Sequence, residues 1–371
     1  MAVTKIRSVF LAVSVVGIVG IGGVTGCSST TSQTTAAVPA GYVTAPDGTV
    51  VFVGDATPTL PAAERVNVFG EFGEQQIAVA GGFGGKAGFQ QHTFIEEGYD
   101  TDVAVCPAGQ WLVFTSTRHN EAGDLYLQRV DGLSVTQLTD DPAEEAYPTF
   151  SPDGQRIAFS SNRSGSWDIY VTDLAGKQTT QITSQRTHEL HPSFSPDGTK
   201  LVYSTVGNRS GQWELWTADL VSSERKMIGY GMFPVWSPAG DKIAFQRGRD
   251  RGSRWFSLWT LDLVDGEGRM PTEVAVSGTA AIVAPTWSPD GSKLAFTTVL
   301  KKGNSTIHDV WTIKADGTER RRLTDGTGGN NQPFWAVDNR IYFTSDRGGP
   351  ETIWSTPADG TNFSTVAVPQ D

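Results

Sequence analysis

From about residue 100 to residue 360 the apolar positions come in short alternating runs, broken every few residues by Gly, Pro, Asp or Asn. Runs such as Arg156-Ile157-Ala158-Phe159-Ser160 have the period of two that sends successive side chains to opposite faces of a β-strand. No window sustains the 3.6-residue period of an amphipathic helix. Most runs follow a Ser-Pro-Asp-Gly or a close variant, in which glycine supplies the positive φ of a tight turn. The pattern predicts an all-β chain.

The runs are copies of one unit. YPTFSPDGQRIAFSSNR (147–163), HPSFSPDGTKLVYSTVGNR (191–209), FPVWSPAGDKIAFQRGR (233–249) and APTWSPDGSKLAFTTV (284–299) repeat one phrase. A degenerate QPFWAVDNRIYFTSDR (332–347) closes the series, and VAVCPAGQWLVFTSTR (103–118) opens it. The leading prolines Pro148, Pro192, Pro234, Pro285 and Pro333 are 44, 42, 51 and 48 residues apart, the spacing of one propeller blade per repeat. Within a unit, the phrase supplies two strands, a stretch such as Asp168–Thr172 a third, and Thr180-Gln181-Ile182-Thr183 a fourth. One four-stranded sheet cannot bury both its faces, so the units must pack on one another around an axis. Six copies predict a six-bladed β-propeller of four-stranded antiparallel blades. The segment Ala45-Pro46-Asp47-Gly48-Thr49-Val50-Val51-Phe52 echoes a strand pair and leaves a partial seventh blade open. Repeat-locked tryptophans, among them Trp236, Trp287 and Trp335, read as packing between blades.

The SPDG turn, the stretch SSNRSGSWDIYVTDL and the closing Leu-Thr are similar to the WD40-like repeat of TolB-type propellers, over about residues 100–360. The resemblance implies a ring of six blades closed by both termini. Phe89-Gln90-Gln91-His92-Thr93-Phe94 precedes blade one by the distance at which a closing Leu-Thr precedes its next blade. It is expected to supply the outer strand of blade six, in competition with Phe363–Val368. TolB itself carries a sizeable α/β domain ahead of its propeller. Here only about residues 41–100 stand in that place, so the Tol-Pal role is not carried over.

The N-terminus reads as an address. Lys5 and Arg7 precede an apolar run from Val9 to about Val24, and Val24-Thr25-Gly26-Cys27 resembles a bacterial lipobox. The expected organisation is a signal peptide at 1–26, a lipidated Cys27 with a flexible tether to residue 40, an N-terminal extension at 41–102 and the propeller at 103–371. The tether SSTTSQTTAAVPA would span on the order of 20 Å. Ser28 follows the cysteine where an inner-membrane retention signal would carry Asp, which favours an outer-membrane or periplasm-facing site in the cell envelope.

Charge and composition narrow the chemistry. Lys and Arg number 29 against 40 Asp and Glu, a net charge of -11 with no basic tract, so nucleic acid is not an expected partner. No Walker-type or dinucleotide-type glycine loop appears, so no nucleotide is expected, and no cofactor. There is no G-x-S-x-G elbow within these residues, so serine-peptidase chemistry is not expected of them. Two cysteines, Cys27 and Cys106, cannot build a disulfide framework; Cys106, at the serine position of its turn, reads as a buried structural thiol.

In a four-stranded blade the loops joining strand four to the next strand one share a face with the loops joining strands two and three. That axial face collects Tyr99, Asp102, Glu144, Glu145, Tyr147, His188, Glu189, Tyr230 and Asn331. It also carries the hairpin loop with Arg247, Arg249, Arg251 and Arg254, and Lys301-Lys302 beside it. Blades one and two are therefore acidic and blades four and five basic, with aromatic residues between, as a recognition surface requires. Arg118, Arg163, Arg209 and Arg347 recur at one spot and read as braces of their own turns. The expected function is a monomeric, lipid-anchored, non-enzymatic module that binds an envelope protein or peptide across this face. The alternative rests on His188-Glu189-Leu190-His191: the resembling family includes lyases of pectin fragments that use a metal on this face. That reading makes the chain a polysaccharide-binding or -cleaving propeller with His188 and His191 as ligands.

Overall fold

A computed structural model describes residues 42–44, 50–52, 88–207, 210–248, 256–360 and 363. Cys27 and the segments on either side of it lie outside the described residues, as do Arg209, Arg249, Arg251, Arg254 and 364–371. The described residues form six four-stranded antiparallel sheets and one separate strand pair, Tyr42–Thr44 with Val50–Phe52. No helix among them is long and apolar enough to cross a membrane. The six sheets are the six expected blades.

Blade one comprises Asp100–Val105, Trp111–Ser116, Asp124–Arg129 and Val135–Gln137. Blade two comprises Glu145–Phe150, Arg156–Ser161, Asp168–Asp173 and Thr180–Gln181; blade three Glu189–Phe194, Lys200–Val206, Trp213–Asp219 and Arg225–Tyr230. Blade four comprises Met232–Trp236, Lys242–Gly248, Phe256–Val264 and Glu267–Ala275, and blade five Ala280–Trp287, Lys293–Lys302, Ser305–Lys314 and Arg321–Arg322. Blade six takes Asn331–Trp335, Arg340–Ser345 and Thr352–Pro357 from the C-terminal side. Its outer strand is Gln90–Gln91, paired with Ser355 and Trp354. The N-terminal segment thus occupies the slot, and Phe363 stacks on Phe89 at 6.1 Å. Closing the ring in this way gives blade six its fourth strand and covers the outer edge of Thr352–Pro357.

The repeat phrase explains each blade's interior. The turn serine accepts the backbone N–H that opens strand two and donates to the turn aspartate: Ser151 Oγ lies 2.9 Å from Arg156 N and 2.5 Å from Asp153 Oδ1. Ser195 and Ser288 repeat both contacts. In blade one Cys106 Sγ takes the serine's place, accepting the N–H groups of Gln110 and Trp111 at 3.3 Å, and it is buried as expected. The turn glycines Gly154, Gly198, Gly240 and Gly291, all at positive φ, face the turn prolines Pro107, Pro152, Pro196 and Pro238 of the preceding blades. These turns therefore pack blade to blade on the face opposite the axial loops.

Every blade carries a cross-strand aromatic pair between strands two and three: Phe114 and Tyr126, Phe159 and Tyr170, Tyr203 and Trp216, Phe245 and Trp259, Phe296 and Trp311, Phe343 and Trp354. The strand-two member of each pair is buried, and burying one such ring contributes about 2–3 kcal/mol. Trp236, Trp287 and Trp335 join clusters made by residues of two adjacent blades, so the inter-blade reading of the tryptophans holds.

Candidate functional site

Each of the six innermost strands is broken by a β-bulge near its start, with register shifts at Thr101/Ala104, Ala146/Thr149, Leu190/Ser193, Met232/Val235, Val283/Thr286 and Asn331/Phe334. Within each bulge one non-glycine residue is left-handed: Asp102 (φ 55°), Tyr147 (56°), His191 (59°), Phe233 (51°), Ala284 (50°) and Gln332 (50°). In blades two to six this residue is followed by the repeat's proline, which lacks an N–H and so suits a bulge. A bulge re-aims its side chain. Repeated six times around a ring, it gathers one side chain per blade at the mouth of the axis.

The contacts show that convergence. The Gln332 side-chain amide donates to Asp102 Oδ1, and the Tyr147 N–H approaches Asp102 Oδ2 at 3.4 Å. The Tyr147 and His191 rings lie 4.3 Å apart, His191 and Phe233 3.6 Å, and Tyr147 and Phe233, two blades apart, 5.8 Å at 83°. The mouth therefore has an aromatic sector on blades two to four, a small residue on blade five and a polar sector on blades six and one.

Burial sets the protonation of this ring. It raises the Asp102 carboxyl to about 7, against the opposing pull of hydrogen bonds from the Tyr147 N–H and Gln332. It lowers His191 to about 3, which leaves the imidazole neutral at physiological pH. Neither ring nitrogen of His191 has a hydrogen-bond partner, although the side chain is 5% exposed. Burial and the nearby Glu144, Asp102 and Glu351 carboxyls raise the Tyr99 phenol to about 12. Burial, followed by Asp102 and Glu144, holds the Tyr147 phenol well above its ordinary range.

Of the residues expected on this face, the fold brings Tyr99, Asp102, Glu144 and Tyr147 together. Glu145 and Glu189 are turned into the wall. Glu145 accepts from Ser161 Oγ at 2.9 Å and from Arg163 Nη2 at 3.0 Å, and burial followed by Asp141 raises it to about 7. Glu189 is buried beside Asp168, and burial followed by that neighbour raises its carboxyl too. Asn331 is buried and accepts from His308 Nδ1 at 2.6 Å, while Tyr230, at the end of blade three, is 40% exposed. His188 is exposed, its Nδ1 3.4 Å from the Trp167 N–H, whereas His191 is enclosed by rings; the two imidazoles do not share a site. Among the described residues no three His, Cys, Asp or Glu side chains gather as a metal site. Arg247 is half-buried, with its guanidinium 5.4 Å from the Trp259 ring.

The three recurring arginines among the described residues, Arg118, Arg163 and Arg347, are braces. Arg118 makes two 2.9 Å contacts with buried Asp100, Arg163 joins Glu145, and Arg347 reaches Asn330 Oδ1 at 2.5 Å. Each also lies over the aromatic pair of its own blade. Sequence reasoning left out Phe233 and Glu351 as site residues. The signal for Phe233 was present: it is the residue before the repeat proline, the position held by Tyr147 and His191. Glu351, in the loop between strands two and three of blade six, has no repeat equivalent to mark it.

A closed six-bladed propeller with its innermost strands bulged at an axial mouth is a class defined by architecture alone. Residues 167–371 match the family described as the Tricorn protease N-terminal beta propeller domain, and residues 106–193 match the dipeptidyl peptidase IV N-terminal region. The first match takes in more than half of the chain, which belongs to this TolB-like β-propeller family. The Tol-Pal system protein TolB of Bordetella pertussis is 29% identical over 146 residues, covering 28% of this chain and 33% of that protein. The uncharacterized peptidase YuxL of Bacillus subtilis is 28% identical over 124 residues, covering 32% of this chain and 18% of that one. The chain thus spans about a third or less of the length of these relatives. Among solved structures, a putative TolB from Agrobacterium tumefaciens superposes with a TM-score of 0.54 at 21% identity, covering 72% of this chain and 91% of the other. An oligogalacturonate lyase from Vibrio parahaemolyticus gives 0.52 at 14%, covering 74% and 94%. These structural likenesses speak to the fold.

Proposed function

We propose that this protein is a lipid-anchored cell-envelope propeller that binds a protein or peptide across its axial mouth. The observation that carries the reading is the mouth itself: six bulged strands hold one aromatic sector and one acidic, polar sector around a single axis. The ten-residue strands of blade five extend their hairpin to exposed Lys301 and Lys302, adding a basic rim on the same face. Aromatic surface with charge of opposite sign on two sides fits the recognition of a polypeptide, where rings supply contact area and charges supply orientation. Similarity to TolB, named for an envelope system, agrees with an exported location. Acylation at Cys27 would hold the ring near a membrane with its mouth free to turn on the tether.

The test is capture from envelope extract by the full chain, after crosslinking, with two variants beside it. A single saturable protein partner is expected for the wild type. It is expected to be lost on Tyr147→Ala, and on neutralising Arg247, Arg249, Arg251 and Arg254 together to Gln. A partner retained by both variants would move the binding site off this face. Fractionation of Cys27→Ala tests the anchor: the variant should leave the membrane fraction, and equal retention would refute acylation there.

A further inference from the structure

We infer that the outer edge of blade five docks an extended, acidic segment of a second polypeptide, with its carboxylates on Arg320 and Arg321. This edge belongs to the outermost strand of its sheet, whereas the mouth is built from the innermost strands. The inference therefore goes beyond the proposed function and does not depend on it.

Charge comes first. The outer strand of blade five, Arg321–Arg322, follows directly on Arg320. Arg322 is neutralised by Asp309 at 2.7 Å. Among the described residues, neither Arg320 nor Arg321 has an Asp or Glu at ion-pair distance. Arg320 reaches only the Val276 carbonyl, at 3.4 Å, and Arg321 the Asp359 carbonyl, at 3.0 Å, and both contacts are exposed. The Nε–H of each is left without an acceptor. Arg320 also departs from a pattern of the fold. Arg118, Arg163 and Arg347 each lie over the aromatic pair of their own blade, and each holds an Asp, Glu or Asn oxygen. In blade five Arg320 takes the aromatic seat, 4.8 Å from the Trp311 ring and 5.3 Å from Phe296, without the acid. A guanidinium partly withdrawn from water gains from an anion brought to it, and burial accordingly lowers the Arg320 pKa from its ordinary value.

The backbone supplies an independent observation. Arg321 and Arg322 pair with Thr312 and Trp311, and the Leu323 N–H is donated inward to Val310 O at 2.9 Å. By the alternation of an antiparallel ladder, Arg322 then turns its N–H and C=O outward, where blade five has no further strand. A polypeptide strand laid along this edge puts successive side chains on opposite faces, as Arg320 and Arg321 themselves are placed. Two adjacent acidic residues would therefore meet the two arginines.

The other outer edges lack this combination. Blades one and two end in Val135–Gln137 and Thr180–Gln181, without cations. In blade three Lys226 is paired with Glu267 of blade four. Blade four's outer strand contains Pro271, which has no N–H to offer, and blade six's is Gln90–Gln91. An anionic membrane fits the site less well. Arg320 turns toward blade four and Arg321 toward the segment after blade six, so the two half-buried groups present no plane of charge.

Fluorescence anisotropy on the full chain would use labelled, end-blocked peptides of Thr and Val around a central Glu-Glu. Beside it stand the Gln-Gln counterpart and a Glu-Glu peptide whose valines are replaced by proline. The Glu-Glu peptide should bind at least about tenfold more tightly than the Gln-Gln peptide, as charge-assisted contacts require. The proline peptide should lose most of that binding, because it cannot pair with the edge. Arg320→Gln with Arg321→Gln should abolish the preference, and Arg320→Lys with Arg321→Lys, which keeps the charge, should retain most of it. Lys301→Gln with Lys302→Gln removes the same charge from the hairpin at the mouth and should leave the preference unchanged. Equal binding of the Glu and Gln peptides, or no binding of either, would overturn the inference. So would undiminished binding of the proline peptide, or a preference lost in the lysine hairpin variant and kept in the arginine variant. Binding to phosphatidylglycerol vesicles that requires Arg320 and Arg321, with no peptide binding, would assign the edge to a membrane instead.

Discussion

Thr93 Oγ1 accepts the backbone N–H of Ile353 at 3.0 Å, the contact that Thr139 makes with Leu125, Thr183 with Ile169 and Thr324 with Val310 inside single blades. The threonine closing blades one, two and five is thus supplied to blade six from the far end of the chain. Beside it, Phe89 lies under the Arg347 guanidinium at 3.8 Å and edge-on to Phe343.

Ring closure can be measured from either contact. Thr93→Val removes the acceptor of a buried N–H and should cost about 1–3 kcal/mol in urea unfolding. Phe89→Ala should cost about 3–5 kcal/mol through the cavity it leaves. A chain lacking residues 1–95 should show a lower Tm; an unchanged Tm would mean that this strand does not close the ring.

The Arg163–Glu145 brace predicts a non-additive pair. Arg163→Met leaves a fully buried carboxyl without its cation and should cost about 3 kcal/mol. Glu145→Gln keeps a partner for Ser161 and should recover most of that loss in the double variant. Simple additivity of the two substitutions would show that the brace is not coupled.

Asp102 makes stability depend on pH in an unusual direction. Its folded carboxyl, at about 7, lies above the ordinary unfolded value near 3.8, so between those values the folded state holds the extra proton. The group therefore favours folding at low pH, and that contribution is lost as pH rises through 7. Asp102→Asn should accordingly gain Tm relative to the wild type as pH is raised from 5 to 8. A constant difference across that range would place the carboxyl at its ordinary value.

The left-handed bulge positions invert the usual effect of glycine. Ala284 sits at φ 50°, so Ala284→Gly should stabilise the protein by about 0.5–1 kcal/mol instead of weakening a strand. Gly154, at φ 69°, should show the reverse: Gly154→Ala should cost about 1 kcal/mol although 3.7 Å separates the new methyl position from Pro107. Equal signs for the two would argue that φ does not decide these positions.

Much of the architecture was legible because it is local and repeated. Ser-Pro-Asp-Gly turns, alternating strands and a period of one blade each declare themselves within a few residues, and six copies leave little freedom in how the sheets pack. The braces were legible too, since Arg118, Arg163 and Arg347 recur at a constant offset. The role of Phe89–Thr93 could be anticipated from spacing, but the contest with the C-terminal segment could not be settled that way. Spacing alone suits either segment to that edge, and among the described residues it is Gln90–Gln91 that pairs there, held by Phe89 against Phe343 and by Thr93 against Ile353.

The site followed a different rule. Glu144 and Glu145 are adjacent and chemically alike, yet one faces the mouth and the other is sealed in the wall under Arg163. His188 and His191 read as a pair, and a strand entry with its bulge sends one to solvent and the other into an aromatic sandwich. Linear order therefore determined the elements, their number and which loops share a face. Which side chains meet on the axis was decided by ring closure and six bulges, because a bulge shifts the alternation of a strand by one residue and so changes where every neighbouring side chain points.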